Sequence, residues 1–235
     1  MSYGICGVWD GSCWFWPRWR WPAWRGWRLA VRWAPGIERY PVQGVDVSET
    51  TGTIIWPVLK GAGAQFGYAV ATVGATTRDR NFQANWDAMA KVGVKRGAVH
   101  VFSFCQSPRV QGDVFNTVVP RDLKALPAAI AFDYDDACPD RPERAALIAG
   151  VRAMIERIEA HMGKPVVLRI AGRVEDDYRL TEAFDRKWWA VGNFLKPSYG
   201  ARPWSVWRAS DMRGVDGVDG PVDWDVATEG AFKDE

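Results

Sequence analysis

From residue 40 to residue 170 the sequence alternates between short apolar segments and segments with helical spacing. Apolar segments of this kind, bounded by turn-forming residues, predict buried strands. One of the segments between them is Phe82–Val92, in which Trp86 and Met89 recur at helical intervals before a terminating Gly93. Repeated β-α units predict a parallel sheet or a closed barrel.

The units change in character along the chain. We predict strands near Gln43–Val47, Phe66–Thr72, Gly97–Phe104, Ala128–Asp133, Pro165–Ile170, Trp188–Val191, Trp204–Ala209 and Val222–Val226. We predict helices over Ile55–Ala62, Phe82–Val92 and Pro108–Val119, and a longer one after residue 140. Helical signals fade after the sixth strand. About eight strands in so short a chain favour a compact barrel whose later connections are short.

The longest predicted helix has the clearest boundaries. Asp140 is a candidate N-cap, and Glu143 follows at the spacing of a capping box. One helical face would carry Leu147, Val151, Met154, Ile158 and Met162. Gly163 marks the end of the helix.

A pair of carboxylates follows the strand at Ala128–Asp133. Side chains alternate along a strand, so Asp133 and Asp135 are predicted to share one face about 7 Å apart. Ile130, Phe132 and Tyr134 would occupy the other face. Two carboxylates on one face suit acid and base chemistry. A solvated acidic turn is the alternative interpretation.

Two further acids are predicted to lie at strand ends. Asp46 ends the first strand, and Asp223 lies in the last. The first and last strands of a closed barrel are neighbours, so Asp46 and Asp223 are expected to lie close together. Catalytic groups of parallel barrels gather at the carboxyl ends of the strands, which predicts that Asp46, Asp133, Asp135 and Asp223 face one mouth.

Residues 1–40 differ in composition from the rest. They hold eight of the fifteen tryptophans and six arginines against two acids, a net +4 where the remainder sums to −2. We predict a Trp/Arg-rich leader over residues 1–39, disordered or membrane-interfacial, and a barrel over residues 40–235. Residues 13–33 suit contact with a membrane surface, and the same composition suits stacking on single-stranded nucleic acid. The overall charge of +2 argues against a nucleic-acid partner.

The cysteines do not indicate a metal site. Cys6, Cys13, Cys105 and Cys138 lack C-x-x-C spacing, and the chain has two histidines. The first two cysteines, and likewise the last two, could form a disulfide or remain free thiols. The sequence has no run of about eighteen apolar residues, so we predict no membrane-spanning helix. Arginines and prolines interrupt any apolar core of a signal peptide, so we predict no conventional signal peptide.

The order of short motifs resembles glycoside hydrolase family 25, the Chalaropsis-type lysozymes or N-acetylmuramidases. The resemblance covers about residues 40–230. The matching blocks, in family order, are Gly44–Ser48 with Gly52 and Ile55–Trp56, Phe66–Thr72, Asn81–Phe82 with Asn85–Trp86, Gly93 with Gly97–Phe102, Ala131–Asp135, Gly163–Pro165, Trp188–Ala190, Trp204–Trp207 with Ser210, and Gly217–Asp223. No single block is specific, whereas the ordered set is.

The resemblance implies an α/β, TIM-like barrel with five β/α units followed by three strands with few helices. It implies hydrolysis of the β-1,4 bond between N-acetylmuramic acid and N-acetylglucosamine in peptidoglycan by a monomer without cofactors or metal. By motif position, Asp135 is the general acid. Asp133 and Asp46 orient the sugar or stabilise developing charge, and Asp223 orients and tunes its neighbours. The 2-acetamido group of the sugar is the expected nucleophile.

Four other side chains are candidate substrate contacts. Trp189, Tyr199 and Trp207 have aromatic rings that could stack on sugar faces. His100 is a fourth candidate, with a polar side chain. Core packing is the alternative for each of the four.

The chain departs from the family pattern around the predicted mouth. The family usually has Glu where Asp135 stands, and displacement of a reacting group by about 1 Å costs on the order of a hundredfold in rate. Val99, Leu168, Glu49 and Arg208 stand where the family usually has Tyr, Tyr, His and Gln. The alternatives are therefore a catalytically impaired wall-binding barrel, or an enzyme for another glycan. The substrate favours an extracytoplasmic location, with phage-type release as another route.

Overall fold

The computed structural model describes Gly26 and residues 29–232, and its centre is a closed barrel of eight strands. The barrel strands are β1 (Val42–Val47), β2 (Phe66–Val73), β4 (Lys95–Val101), β5 (Ala129–Phe132), β6 (Val167–Ile170), β7 (Trp188–Val191), β8 (Val206–Arg213) and β9 (Val222–Ala227). A two-residue strand, β3 (Thr77–Arg78), pairs with β2 outside the barrel. Neighbouring strands are parallel except at β9, which runs antiparallel to both β8 and β1 and closes the barrel.

The helices are concentrated in the first part of the barrel. They are α1 (Trp56–Gly61), α2 (Phe82–Val92), α3 (Pro108–Val118), α4 (Arg144–Met162), α5 (Gly172–Tyr178) and α6 (Leu180–Ala183), with a short 3-10 turn at Glu49–Thr51. Five β/α units therefore precede three strands, and no helix lies between β7 and β9. The predicted TIM-like barrel with few helices in its later part is confirmed.

The start of α4 differs from the prediction. The helix begins at Arg144, and Glu143 is the N-cap in an extended conformation without a side-chain cap bond. Asp140 lies four residues before the helix. The residue before a proline is disfavoured in the α region, so Pro142 disfavours a helical Arg141, and the helix begins after the proline.

The strands divide their side chains between the barrel interior and the outer layer of helices. On β5, Ala129 and Ala131 belong to the inner cluster, whereas Ile130 and Phe132 pack outward against the helices. This confirms the predicted alternation of β5. The rings of Tyr68 and Trp189 meet inside the barrel with centroids 5.2 Å apart.

Glycine is required where this interior is most crowded. A Cβ atom at Gly97 would lie 2.2 Å from the ring of Tyr68, and one at Gly44 would lie 2.4 Å from the carbonyl oxygen of Phe66. Only glycine leaves room at these two positions for Tyr68 and Phe66 of the neighbouring strand.

Residues 31–40, which we call the N-terminal strap, cover the outer face of β8. Trp33 and Tyr40 pack against Trp207, in the part of the barrel that carries no helix. Backbone at Leu29 and Ala30 is helical. The remainder of the predicted leader, residues 1–25, 27 and 28, lies outside the described residues, so the predicted boundary at residue 40 stays a prediction.

A disulfide joins two loops on the same side of the barrel. Cys105, between β4 and α3, is bonded to Cys138, between β5 and α4. Cys6 and Cys13 lie outside the described residues. Within the described ranges, no helix combines the length and apolar character needed to cross a membrane.

Candidate active site

Asp46 and Asp223 face each other across the seam that closes the barrel. They are partners in the antiparallel β1–β9 ladder. Asp46 ends a parallel strand and Asp223 begins the antiparallel one, so both lie at the carboxyl-end mouth. They line two adjacent clefts of about 240 and 310 Å³. The predicted proximity of Asp46 and Asp223 is thus present.

Each of these carboxylates is held by an arginine from another strand. Arg169 on β6 donates from Nη1 to Asp46 Oδ2 at 2.6 Å, and Arg208 on β8 donates to Asp223 Oδ2 at 3.2 Å. The Asp46–Arg169 pair is the more buried, with side-chain exposures of 7% and 14%. Pairing of buried charges offsets their desolvation, so the ion pair with Arg169 fixes the position of the Asp46 side chain.

A third inward carboxyl, Asp225, lies two residues beyond Asp223 on the same face of β9. It is fully buried, and neither of its oxygens has a hydrogen-bond partner. Burial, followed by the negative charges of Asp46 and Asp223, raises the pKa of Asp225 well above its usual range. The surroundings of Asp225 therefore favour its neutral, protonated form.

Asp223 is shifted in the same direction. Burial, followed by the charge of Asp46, raises the pKa of Asp223 to about 7, although Arg208 and Arg169 act in the opposite direction. Burial thus outweighs the ion pair with Arg208. The mouth therefore holds a carboxyl group, that of Asp223, that exchanges its proton near neutral pH.

Asp133 and Asp135 lie immediately beyond the end of β5, and both are exposed. The strand ends at Phe132, so the spacing predicted for a continuous strand does not extend to Asp135. Asp133 Oδ1 accepts the amide hydrogen of Tyr134 at 2.8 Å. Asp135 Oδ1 accepts that of Ala137 at 2.9 Å, within a turn that also joins its carbonyl oxygen to the amide of Cys138.

The loop bearing these acids is fixed on its outer side. Tyr134 points away from the mouth and donates its hydroxyl hydrogen to Asp177 at 2.5 Å. The guanidinium of Arg141 lies 3.7 Å from the centre of the Tyr134 ring. With the Cys105–Cys138 disulfide, these contacts hold the acidic loop against the helices and leave both carboxyl groups facing solvent.

Three of the four predicted substrate contacts are packed in the protein. Trp189 is 0% exposed within the barrel, and Trp207 lies under the N-terminal strap. His100 is also buried, with Nδ1 2.7 Å from the Thr72 hydroxyl and Nε2 3.1 Å from Gln111 Oε1. Burial lowers the pKa of His100 to about 4, so its imidazole is neutral. None of these three side chains reaches a surface that a glycan could contact, because each occupies core space.

Tyr199 is half-buried beside the mouth. Its hydroxyl donates to the carbonyl oxygen of Ile170 at 2.7 Å and accepts from the amide of Val191 at 2.6 Å. Burial raises the pKa of Tyr199 to about 12, and the charge of Asp133 contributes in the same direction. Tyr199 therefore ties β6 to β7 close to Asp133.

The sequence predictions missed Arg169, Arg208 as an ion-pair partner, and Asp225. Asp225 follows from period-two alternation, since it shares a face with Asp223. The arginines had no local signal, because their partners lie on strands far away in the sequence. In the part of the chain that the structure describes, no group of three or more His, Cys, Asp or Glu residues is arranged to hold a metal ion.

Comparison with known proteins gives a consistent result. Residues 45–218 match the model of glycosyl hydrolases family 25. The chain is 30% identical over 199 residues to YegX of Escherichia coli strain K12, covering 80% of this chain and 70% of YegX. A family 25 glycosyl hydrolase from Bacillus anthracis superposes with a TM-score of 0.77 at 29% identity, covering 84% of this chain and 94% of its own.

A second solved structure, the bacterial lysozyme from Streptomyces coelicolor, superposes with a TM-score of 0.74 at 25% identity. That match covers 80% of this chain and 92% of the lysozyme. The family model spans most of the barrel, including Asp46, Asp133 and Asp135. On these matches, together with the closed barrel of five β/α units and three further strands, the chain belongs to glycosyl hydrolase family 25, the lysozyme and muramidase family.

Proposed function

We propose that the protein is a muramidase that cleaves the β-1,4 bond between N-acetylmuramic acid and N-acetylglucosamine in peptidoglycan. The observation that carries this proposal is the set of four carboxylates, Asp46, Asp133, Asp135 and Asp223, at the mouth of a family 25 barrel. Glycosidases use such carboxylates to protonate the leaving oxygen and to stabilise an oxocarbenium-like transition state.

In the proposed reaction, Asp135 gives its proton to the glycosidic oxygen as the bond from that oxygen to the anomeric carbon breaks. The carbonyl oxygen of the sugar's 2-acetamido group attacks the anomeric carbon and forms a cyclic oxazolinium. Asp133 and Asp46 orient this group and stabilise its charge. Water then attacks the anomeric carbon, gives a proton to the Asp135 carboxylate, and restores the acetamido group and the acid.

Asp135 needs a bound substrate to shield its carboxyl group from solvent before it can act as an acid. In the free protein its carboxyl group is exposed and accepts the amide hydrogen of Ala137. A bound glycan would cover it, and desolvation would favour the protonated form that an acid needs. Arg169 fixes the position of Asp46 without help from substrate.

The disulfide supports an extracytoplasmic location, where the wall substrate is found. Disulfides persist in oxidising compartments and are rare in reducing ones. The Cys105–Cys138 bridge lies beside the acidic loop, so an oxidising location would also keep that loop fixed.

A glycan-binding barrel without hydrolytic activity is the second candidate. Two observations favour it: the side chain of Asp135 is one methylene shorter than the usual glutamate, and its carboxyl group is engaged in a turn. Such a protein would hold peptidoglycan through the same mouth without delivering the proton.

A reducing-end assay on purified peptidoglycan tests both candidates. We expect wild-type protein to release reducing ends and Asp135→Asn to lose at least about a hundredfold in rate, the scale of a lost general acid. Asp135→Glu is expected to raise the rate, because it restores the reach of the acid. Hydrolysis by Asp135→Asn at the wild-type rate would refute the assignment of Asp135. Wall binding without reducing ends would favour the second candidate.

A further inference from the structure

The N-terminal strap is bonded to the strand that supplies one side of the mouth. The carbonyl oxygen of Val31 accepts the amide hydrogen of Gly214, directly after β8, at 2.7 Å. The ring of Trp33 lies 5.3 Å from that of Phe194 and 6.5 Å from that of Trp207, measured between centroids. Trp33 therefore bridges β8 and the loop that precedes it.

That loop, residues 192–200, is aligned along β8. The amide of Gly192 donates to the carbonyl oxygen of Arg208 at 3.2 Å, and the amide of Phe194 donates to that of Ala209 at 2.8 Å. Between them, the side-chain amide of Asn193 donates to Asp211 Oδ1 at 2.5 Å. Three consecutive loop residues thus bond to three positions of the strand, Arg208, Ala209 and Asp211.

The same strand positions face the candidate active site. Arg208 pairs with Asp223, and Asp211 lines the cleft that also contains Asp46 and Asp223. A shift of the loop would therefore move a ligand-facing carboxylate, Asp211, and disturb the partner of Asp223.

Phe194 is the strained member of this loop. Its φ angle of 62° lies in the left-handed region, which is unfavourable for a residue other than glycine and persists only when the surroundings hold it there. The ring contact with Trp33 and the bond to Ala209 supply that restraint. Leu195, the next residue, is 79% exposed beside the mouth.

We propose that Trp33 is a positioning residue for substrate binding. By holding Phe194 in its strained conformation, it sets the 192–195 loop against β8 and fixes Asp211 at the cleft. This inference rests on the proposed function for the identity of the ligand, a peptidoglycan glycan. Trp33 lies away from Asp135, so its removal should weaken binding and leave the chemical step largely unchanged.

The test compares Trp33→Ala, the conservative Trp33→Phe, and Ile37→Ala as a control in an exposed position of the same strap. Amide hydrogen exchange of residues 192–195 is measured with KM and kcat on soluble peptidoglycan fragments and with the melting temperature. We expect Trp33→Ala to speed exchange in the loop about tenfold and to raise KM about fivefold or more, with kcat within about twofold. Factors of this size are expected for the loss of aromatic contacts such as those of Trp33 with Phe194 and Trp207. Trp33→Phe should recover most of both effects, and Ile37→Ala should match wild type.

Unchanged loop exchange in Trp33→Ala would overturn the inference, as would a fall in kcat and melting temperature at constant KM, which a purely structural role predicts. Phe194→Gly is the second variant should Trp33→Ala fail to fold. It removes the ring while suiting the positive φ, so faster loop exchange and raised KM are expected without a large loss of stability. If the wild-type protein has no hydrolytic activity, the proposed function is refuted but the role of Trp33 is not. Hydrogen exchange of the loop and fragment binding measured by calorimetry then decide the role of Trp33.

Discussion

The groups around Asp223 at the mouth of the barrel shift its pKa in opposite directions. Arg208 and Arg169 favour its ionised form, whereas burial and Asp46 favour the protonated form and prevail. Its neighbour Asp225 is shifted in the same direction without any hydrogen-bond partner. These carboxyl groups therefore keep their protons to a higher pH in the native protein than in the unfolded chain.

The consequence for stability has a definite sign. The pKa of Asp223 is about 7 in the native protein, against about 3.9 for an unperturbed aspartate. Between these values the native state binds more protons, so its stability falls as pH rises from about 4 to 7. We expect Asp223→Asn to remove up to about 1.4 kcal/mol per pH unit of this slope. Denaturant unfolding across that range measures it, with the exposed Asp216→Asn as control. A slope in Asp223→Asn equal to that of wild type would contradict the assignment.

At the scale of the elements, the Cys105–Cys138 disulfide supports the loop after β5, which carries two of the candidate site residues. The loop follows a four-residue strand and carries Asp133 and Asp135 in solvent. Its own backbone bonds are few, and the disulfide from Cys138 to Cys105 anchors it to the loop after β4. This bridge does not include the two candidate catalytic carboxyl groups, but it limits where their loop can move.

Removal of the disulfide should therefore destabilise the protein measurably. The cysteines are separated by 33 residues, and loop-closure entropy for that length gives about 3–4 kcal/mol at 25 °C. We expect Cys105→Ala/Cys138→Ala to lose stability on this scale in denaturant unfolding, and reduction of wild type to have the same effect. The double variant should lack the part of the reductant sensitivity that the Cys105–Cys138 bridge causes. Equal stability of oxidised and reduced wild type would contradict this expectation.

Elements were predictable from sequence where local pattern and burial agreed. The first five barrel strands, β1, β2, β4, β5 and β6, were predicted from apolar segments bounded by turns, and α2 was predicted with its observed ends. Helices α5 and α6 were missed because their acidic sequence shows no apolar periodicity. The direction of β9 was not predicted, since strand direction depends on the length and path of the preceding loop. The Asp46–Asp223 pair was predicted from barrel closure, whereas its arginine partners required the three-dimensional structure.

At the scale of the whole molecule, closure depends on β9. This strand pairs with both β1 and β8, and it buries Val222, Trp224 and Val226 on its outer side and Asp225 within the barrel. The match to the family model ends at residue 218, before this strand. The segment that completes the barrel is therefore as necessary to the architecture as the matched region.

A chain shortened at residue 218 tests this requirement. Without β9, strands β1 and β8 expose their edges, and the apolar side chains that β9 covers meet water. We expect the shortened protein to lose its cooperative thermal transition and its near-ultraviolet circular dichroism. A chain lacking only residues 233–235 is the control and should behave as wild type. A cooperative transition in the chain ending at residue 218 would show that the barrel does not need β9.

The seam between β1 and β9 also orders events during synthesis. Asp46 is among the first barrel residues to leave the ribosome and Asp223 among the last, yet they face each other in one ladder. Contacts between such distant segments form late in folding, so the carboxylate pair is assembled only after the last barrel strand has been synthesised. A nascent or prematurely terminated chain would carry Asp46 without its partner. The candidate site therefore gains its facing pair of carboxyl groups only after translation has passed residue 223.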